Sequence, residues 1–140
     1  MKIKIATTES EIAQCFNVLA ELRPHLSIDT FVNTVERLGK ATNFKLAYLD
    51  DGGVKAVAGF RLSEWLAAGY YLEIEDLITT ASERSKGYGG MLFDWLYDYA
   101  SANNCNQLRL VSGIVRESAH RFYLRKGMVF EAKYFSINIT

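Results

Sequence analysis

The chain has 140 residues, 49% of them apolar and 23% charged, and its sixteen basic residues balance sixteen acidic ones to a formal net charge of zero. A domain of this length buries roughly 68 to 70% of the surface its unfolded chain exposes, so it needs neither disulfide nor metal to fold. Neutrality argues against the electrostatic footprint of a nucleic-acid binder, and no run reaches the roughly 18 apolar residues of a membrane span, so neither nucleic acid nor membrane is an expected partner.

Lys2 to Ala6 alternates like a short strand. The amino terminus MKIKIATTES has no apolar core of signal-peptide length, so the cytoplasm is the expected location. Thr8 and Glu11 read as a capping box, and Ile12, Phe16, Leu19 and Ala20 recur at helical spacing, which predicts one helix to about Leu22 with Pro24 as its stop. A second helix is expected from Ile28 to Leu38, capped by Ser27, with Phe31, Val32, Val35 and Leu38 on one face.

The period then changes. Phe44 to Leu49 and Val54 to Leu62 are β-rich runs separated by Asp50-Asp51-Gly52-Gly53, a hairpin signal, and Tyr70 to Thr79 is a third run beyond an Ala67-Ala68-Gly69 turn. Met91, Leu92, Trp95, Leu96 and Tyr99 restore helical spacing until Asn103-Asn104. Leu108 to Val111 reads as a strand, Glu117 to Arg125 as a helix stopped by Gly127, and Lys133 to Ile139 as a closing strand. This order specifies an α/β (α+β) chain with a mixed sheet covered by helices. No linker or repeat interrupts it, so a single domain over residues 1–140 is expected. Cys15 and Cys105 form no CxxC pair, and His25 and His120 stand alone, so no metal site is expected and both cysteines are read as small buried hydrophobes.

Arg84-Ser85-Lys86-Gly87-Tyr88-Gly89-Gly90 lies between a β run and an amphipathic helix. A helix amino terminus offers unpaired N–H groups and the positive end of a dipole, glycines let a phosphate approach that backbone, and Arg84 and Lys86 add cationic donors. The glycines alone would also suit a simple connecting turn. A Walker A loop is absent, and a dinucleotide fingerprint would need a glycine where Leu92 stands.

Arg84, Gly87 and Gly89 have the spacing of the pyrophosphate-binding motif of GNAT acetyltransferases, which they resemble. Ile74-Glu75-Asp76-Leu77-Ile78 resembles that family's central strand, splayed by a bulge so that free backbone groups meet the pantetheine arm. Ser118 to Met128 resembles its second signature, an Ala-x-x-Phe-Tyr helix leading into a Lys-Gly turn, with Ser118 in place of a common asparagine and Met128 in place of the usual phenylalanine. The resemblance spans about residues 70 to 130. It implies a mostly antiparallel sheet with a splayed parallel pair at the cofactor site and helices on both faces. It also implies acetyl-coenzyme A as acetyl donor, held by Leu77, Ile78, Thr79, Arg84, Ser85, Lys86, Gly87, Tyr88, Gly89 and Gly90.

Such chemistry needs a neutral amine, and a lysine-like amine with a pKa of about 10.4 must lose a proton, directly or through water. Glu75 is the first candidate base and Glu73 the second; strand alternation puts them on one face and Asp76 on the other unless a bulge intervenes. A backbone N–H near Leu77 or Ile78 would meet the oxyanion, and the resemblance assigns Tyr123 as the acid for the departing thiolate. The acceptor is a small-molecule or peptide amine of unidentified structure; Phe31, Trp65, Tyr70 and Tyr71 are candidates for its pocket or for core. Two other classes fit the same residues: a non-catalytic acyl-coenzyme A sensing module, and an interaction domain without ligand. A homodimer is compatible with all three.

Overall fold

A computed structural model describes all 140 residues. Contacts divide the chain into two units, Met1–Arg109 and Leu110–Thr140. The first contains strand β1 (Lys2–Ile5), helices α1 (Glu9–Gln14), α2 (Phe16–Leu22) and α3 (Ile28–Thr42), and strands β2 (Phe44–Asp50), β3 (Val54–Trp65) and β4 (Gly69–Thr79). Helix α4 (Tyr88–Ala102) and strand β5 (Gln107–Leu110) complete it, except that Leu110 falls in the second unit. That second unit holds helix α5 (Glu117–Arg125). No helix is long and apolar enough to cross a membrane.

The five strands lie in the order β1-β2-β3-β4-β5, antiparallel as far as β4, with β4 and β5 the parallel pair. Period-two alternation sends Phe44, Leu46, Tyr48 and Val57 to one face, where they form a core with Ile12, Cys15, Val18, Leu19, Phe31 and Val35 of α1, α2 and α3. Phe60 points to the other face and meets Trp95 and Tyr99 of α4 edge-on, at centroid distances of 6.4 and 5.5 Å. Helices therefore cover both faces, as the family resemblance implies.

Two sequence expectations are corrected. The single helix to Leu22 is two helices, because at Cys15 the backbone tightens to a bond with Ile12 O and the Cys15 thiol turns back onto Glu11 O. The break keeps Ile12, Cys15, Val18 and Leu19 all buried. Burial pushes the Cys15 thiol up to about 12, so it is inert as a nucleophile at neutral pH; Cys105 is only half-buried. The closing strand from Lys133 to Ile139 is absent, since a strand needs a neighbour for its backbone groups and the sheet ends at β5.

The capping box at Thr8 forms, and Glu11 does more than cap. Its carboxylate pairs with Lys4, accepts from the amides of Thr7 and Thr8, and accepts from Tyr48 Oη at 3.2 Å. The Lys4 bond, then the two amides, hold the Glu11 carboxyl far below the usual carboxylate range. A depressed folded-state pKa stabilises the fold above the unfolded value, about 4.3, and that stability disappears as pH falls below it. Glu11→Gln should therefore melt lower than the parent at pH 7, and the gap should narrow on acidification to about pH 3. A gap that stays constant across a pH series of thermal melts would remove Glu11 from the acid response.

Candidate active site

β4 is regular from Gly69 to Ile74 and then slips. Ile74 pairs with Phe60, but Asp76 pairs with the adjacent Gly59, which leaves Glu75 as an extra residue in a β-bulge. The bulge moves Asp76 to the face of Glu73, so the carboxylates sort differently from simple alternation. Gly59 is what allows it: a Cβ there would lie 2.3 Å from Asp76 Oδ2 and 2.7 Å from Phe44 Cζ. Arg23, the residue that ends α2, fixes the bulge from outside by donating from Nε to Asp76 Oδ1 at 2.8 Å and from Nη2 to the Glu75 carbonyl at 3.0 Å.

All three acidic candidates are matched by arginines. Both oxygens of Glu75 meet the Arg61 guanidinium, with Nη2 donating to Oε1 at 3.2 Å. Glu73 accepts from Arg109 Nε at 2.6 Å, and Arg109 itself lies over the rings of Tyr71 and Trp65, 3.7 and 4.1 Å from their centroids. Trp65 and Tyr71 thus hold an internal cation; Tyr70 is exposed, and Phe31 is core, packed edge-on against Phe16.

Beyond the bulge, β4 has an open edge. β5 begins beside Tyr70, whose carbonyl accepts from Asn106 N at 2.8 Å, and its four residues end well before Thr79. The amide of Thr80 donates to Lys55 O, so antiparallel alternation turns Ile78 toward β3 and turns the N–H and C=O groups of Leu77 and Thr79 to the open edge. Those groups are free to meet an extended ligand.

The chain then makes a short 3₁₀ turn, Ala81–Glu83, held by Glu21, whose carboxylate accepts from Thr80 Oγ1 at 2.6 Å and Ala81 N at 2.9 Å. Arg84, Ser85, Lys86 and Gly87 are exposed, and Ser85 has a φ of 69°, uncommon for a residue other than glycine. Gly87 caps α4 at a φ of 84°, with no side chain to occupy the amides, and no acidic residue stands in the first turn. The first intrahelical bond runs from Met91 N to Gly87 O, so the amides of Tyr88, Gly89 and Gly90 have no helical partner. Gly89 lets that turn sit close to β4, where a Cβ would lie 3.1 Å from Thr79 Oγ1. Of the nearby cations, Lys86 and Lys55 both pair with Glu83 and hold its carboxyl below the usual range, while Arg84 makes no ion pair. Tyr88 Oη donates to Asp51 at 2.7 Å, which raises the phenol's pKa. An open helix terminus without acids, glycines that admit close approach and an adjacent strand edge fit a pyrophosphate with an extended amide arm.

In the second unit, α5 carries Tyr123 and ends in a Schellman turn, with Gly127 N bonded to Leu124 O and Met128 N to Tyr123 O. Tyr123 is half-buried. Burial raises its hydroxyl pKa, and Arg116, which also hydrogen-bonds it, opposes that rise. Sequence reading missed Glu21, Arg23, Arg61 and Arg109 because each acts through a partner far along the chain, and no local spacing signals them.

The model described as the acetyltransferase (GNAT) family matches residues 9–128. A Bacillus subtilis (strain 168) protein described as uncharacterized N-acetyltransferase YhdJ is 35% identical over 135 residues, 95% of each chain. A transcriptional regulator from Bacillus halodurans C-125 has the same fold, with a TM-score of 0.86 at 20% identity over 99% of both chains. An aminoglycoside N-acetyltransferase solved in complex with CoA superimposes with a TM-score of 0.83 at 11% identity, over 99% of this chain and 95% of that one.

Proposed function

Since the chain belongs to the GNAT acetyltransferase family, we propose that it acts as one domain that moves an acetyl group from acetyl-coenzyme A to a primary amine, by direct attack when both are bound. The carrying observation is the unpaired amino terminus of α4 next to the open edge of β4. The amides of Tyr88, Gly89 and Gly90, with Arg84, Ser85, Lys86 and Gly87, would hold the pyrophosphate, and the strand segment Leu77-Ile78-Thr79 would hold the pantetheine arm. Bound acetyl-coenzyme A supplies a thioester whose thiol leaves readily, with a pKa near the 8.5 of cysteine.

The chain's own residues have three tasks. Leu77 N–H, fixed by the strand and turned to the open edge, donates to the carbonyl oxygen as it gains charge, with little reorganisation. Glu75 takes the amine proton, directly or through water, and must release one contact with Arg61 to do so. Tyr123 donates its hydroxyl hydrogen to the departing sulfur. Because its pKa lies above that of the thiol, donation of a hydrogen bond is favoured over full proton transfer, so its contribution belongs at the low end of acid catalysis.

The occupation of Glu73, Glu75 and Asp76 by arginines favours a second reading, an acyl-coenzyme A sensor without turnover. Thermal unfolding with acetyl-coenzyme A, with NADH and ATP as anionic controls, tests the cradle common to both. At about 100 times the dissociation constant the ligand should stabilise the fold by roughly 2.7 kcal/mol, a shift of several degrees. No shift with acetyl-coenzyme A would sink both readings. A selective shift without acetylation of any member of an amine panel would favour the sensor.

A further inference from the structure

The carboxyl end of α2 holds β4 at two points, one on each side of the segment Leu77–Thr79. Before that segment, Arg23 donates from Nε to Asp76 Oδ1 at 2.8 Å and from Nη2 to the Glu75 carbonyl at 3.0 Å. After it, Glu21 accepts from Thr80 Oγ1 at 2.6 Å and from Ala81 N at 2.9 Å. Residues two positions apart on a helix do not share a face. Arg23 has left the helix, at φ −123° and ψ 72°, and so reaches the strand that Glu21 also reaches. Between the two points, Leu77, Ile78 and Thr79 pair with Ala58, Val57 and Ala56 of β3. The points themselves are where β3 gives least support. Glu75 is the extra residue of the bulge, and Ala81 N opens a 3₁₀ turn whose cap residue, Thr80, makes no side-chain capping bond.

We infer that Glu21 and Arg23 are positioning residues with separate tasks, Glu21 for donor binding and Arg23 for the transfer step, which rests on the donor site proposed above. Arg23 fixes the peptide between Glu75 and Asp76, next to the one that carries the Leu77 N–H, and fixes the Asp76 side chain as well. Its loss would tilt the donor that meets the charged oxygen. Glu21 fixes Thr80 and Ala81, where the chain enters the loop that runs through Arg84 to Gly87. A carboxylate repels a nearby pyrophosphate, so Glu21 serves that loop through the two bonds it accepts and not through its charge. Fold stability is a weak reason for it, because Glu21 is exposed and changes at such positions cost little.

Calorimetric titration with acetyl-coenzyme A, and single turnovers at saturating acetyl-coenzyme A with an amine that the parent acetylates, read the two tasks separately. Glu21→Ala should raise the dissociation constant by about 10-fold and leave the saturated transfer rate within about twofold. Glu21→Gln should bind as the parent does: its amide oxygen still accepts from Ala81 N, and its NH2 can donate to Thr80 Oγ1, since a hydroxyl accepts as well as donates. Arg23→Lys keeps the charge beside Asp76 without the planar fork, and should slow the saturated rate by about 10- to 100-fold with the dissociation constant nearly unchanged. Hydrogen exchange of the free chain gives a reading without ligand: the Ala81 amide should exchange faster in Glu21→Ala than in the parent or in Glu21→Gln. Equal effects of Glu21→Ala and Glu21→Gln would trace the change to charge and overturn the inference. So would Glu21→Ala and Arg23→Lys each moving affinity and rate together, or a parent that binds and transfers while its variants match it. A parent that binds but acetylates no amine would strike the role of Arg23, and one that does not bind would overturn the donor site as well.

Discussion

Replacing Tyr123 with phenylalanine should slow acetyl transfer by about 100-fold while acetyl-coenzyme A affinity stays nearly unchanged. The expectation follows from the role proposed for the hydroxyl: a donor that meets charge developing only as sulfur departs would, when lost, raise the barrier without weakening the ground-state complex. The direction of its pKa shift agrees with a donor. Burial raises the hydroxyl pKa above its usual value of about 10, so the group holds its proton at neutral pH, while Arg116 keeps the rise in check. Rapid-quench single turnovers with saturating acetyl-coenzyme A separate this step from binding and release. An unchanged transfer rate would remove Tyr123 from the mechanism, and a parallel loss of affinity would make it a packing residue.

Gly59→Ala should destabilise the protein by about 1 to 3 kcal/mol, a fall of roughly 3 to 10 °C in melting temperature. Gly59 has no positive φ, so alanine suffers no backbone penalty there and the cost is steric. The added Cβ meets Asp76 Oδ2 at 2.3 Å and Phe44 Cζ at 2.7 Å, and Phe44 belongs to the core under α3. Asp76 has to give way, which strains its bond to Arg23 and with it the bulge at Glu75. A double-mutant cycle with Asp76→Ala tests this cause. If the Asp76 contact dominates, Gly59→Ala should cost measurably less in the Asp76→Ala background; strictly additive losses would point to Phe44 alone.

The bulge also marks the limit of sequence reading. The resemblance of Ile74 to Ile78 to a splayed central strand anticipated a bulge, but the residue that accommodates it, Gly59, lies on β3, and its clamp, Arg23, ends α2. The same division holds for the acidic candidates. Glu73, Glu75 and Asp76 are visible as three carboxylates in four positions, whereas their arginine partners lie between 14 and 53 positions away. Sequence alternation joined Glu73 to Glu75 across one face; the extra residue brings Asp76 to the face of Glu73 instead.

The sequence by itself determined the element order from β2 to α5, the capping box at Thr8 and the glycine loop that opens α4, because each is written in periodicity or in turn and cap chemistry within a few residues. Only the tertiary structure decided the break at Cys15, the edge of β4 that stays open, the pairing of each carboxylate and the fate of the segment after Met128. Those depend on which strand or side chain stands alongside, and a strand-like pattern such as Lys133 to Ile139 remains only a pattern until another backbone takes its hydrogen bonds.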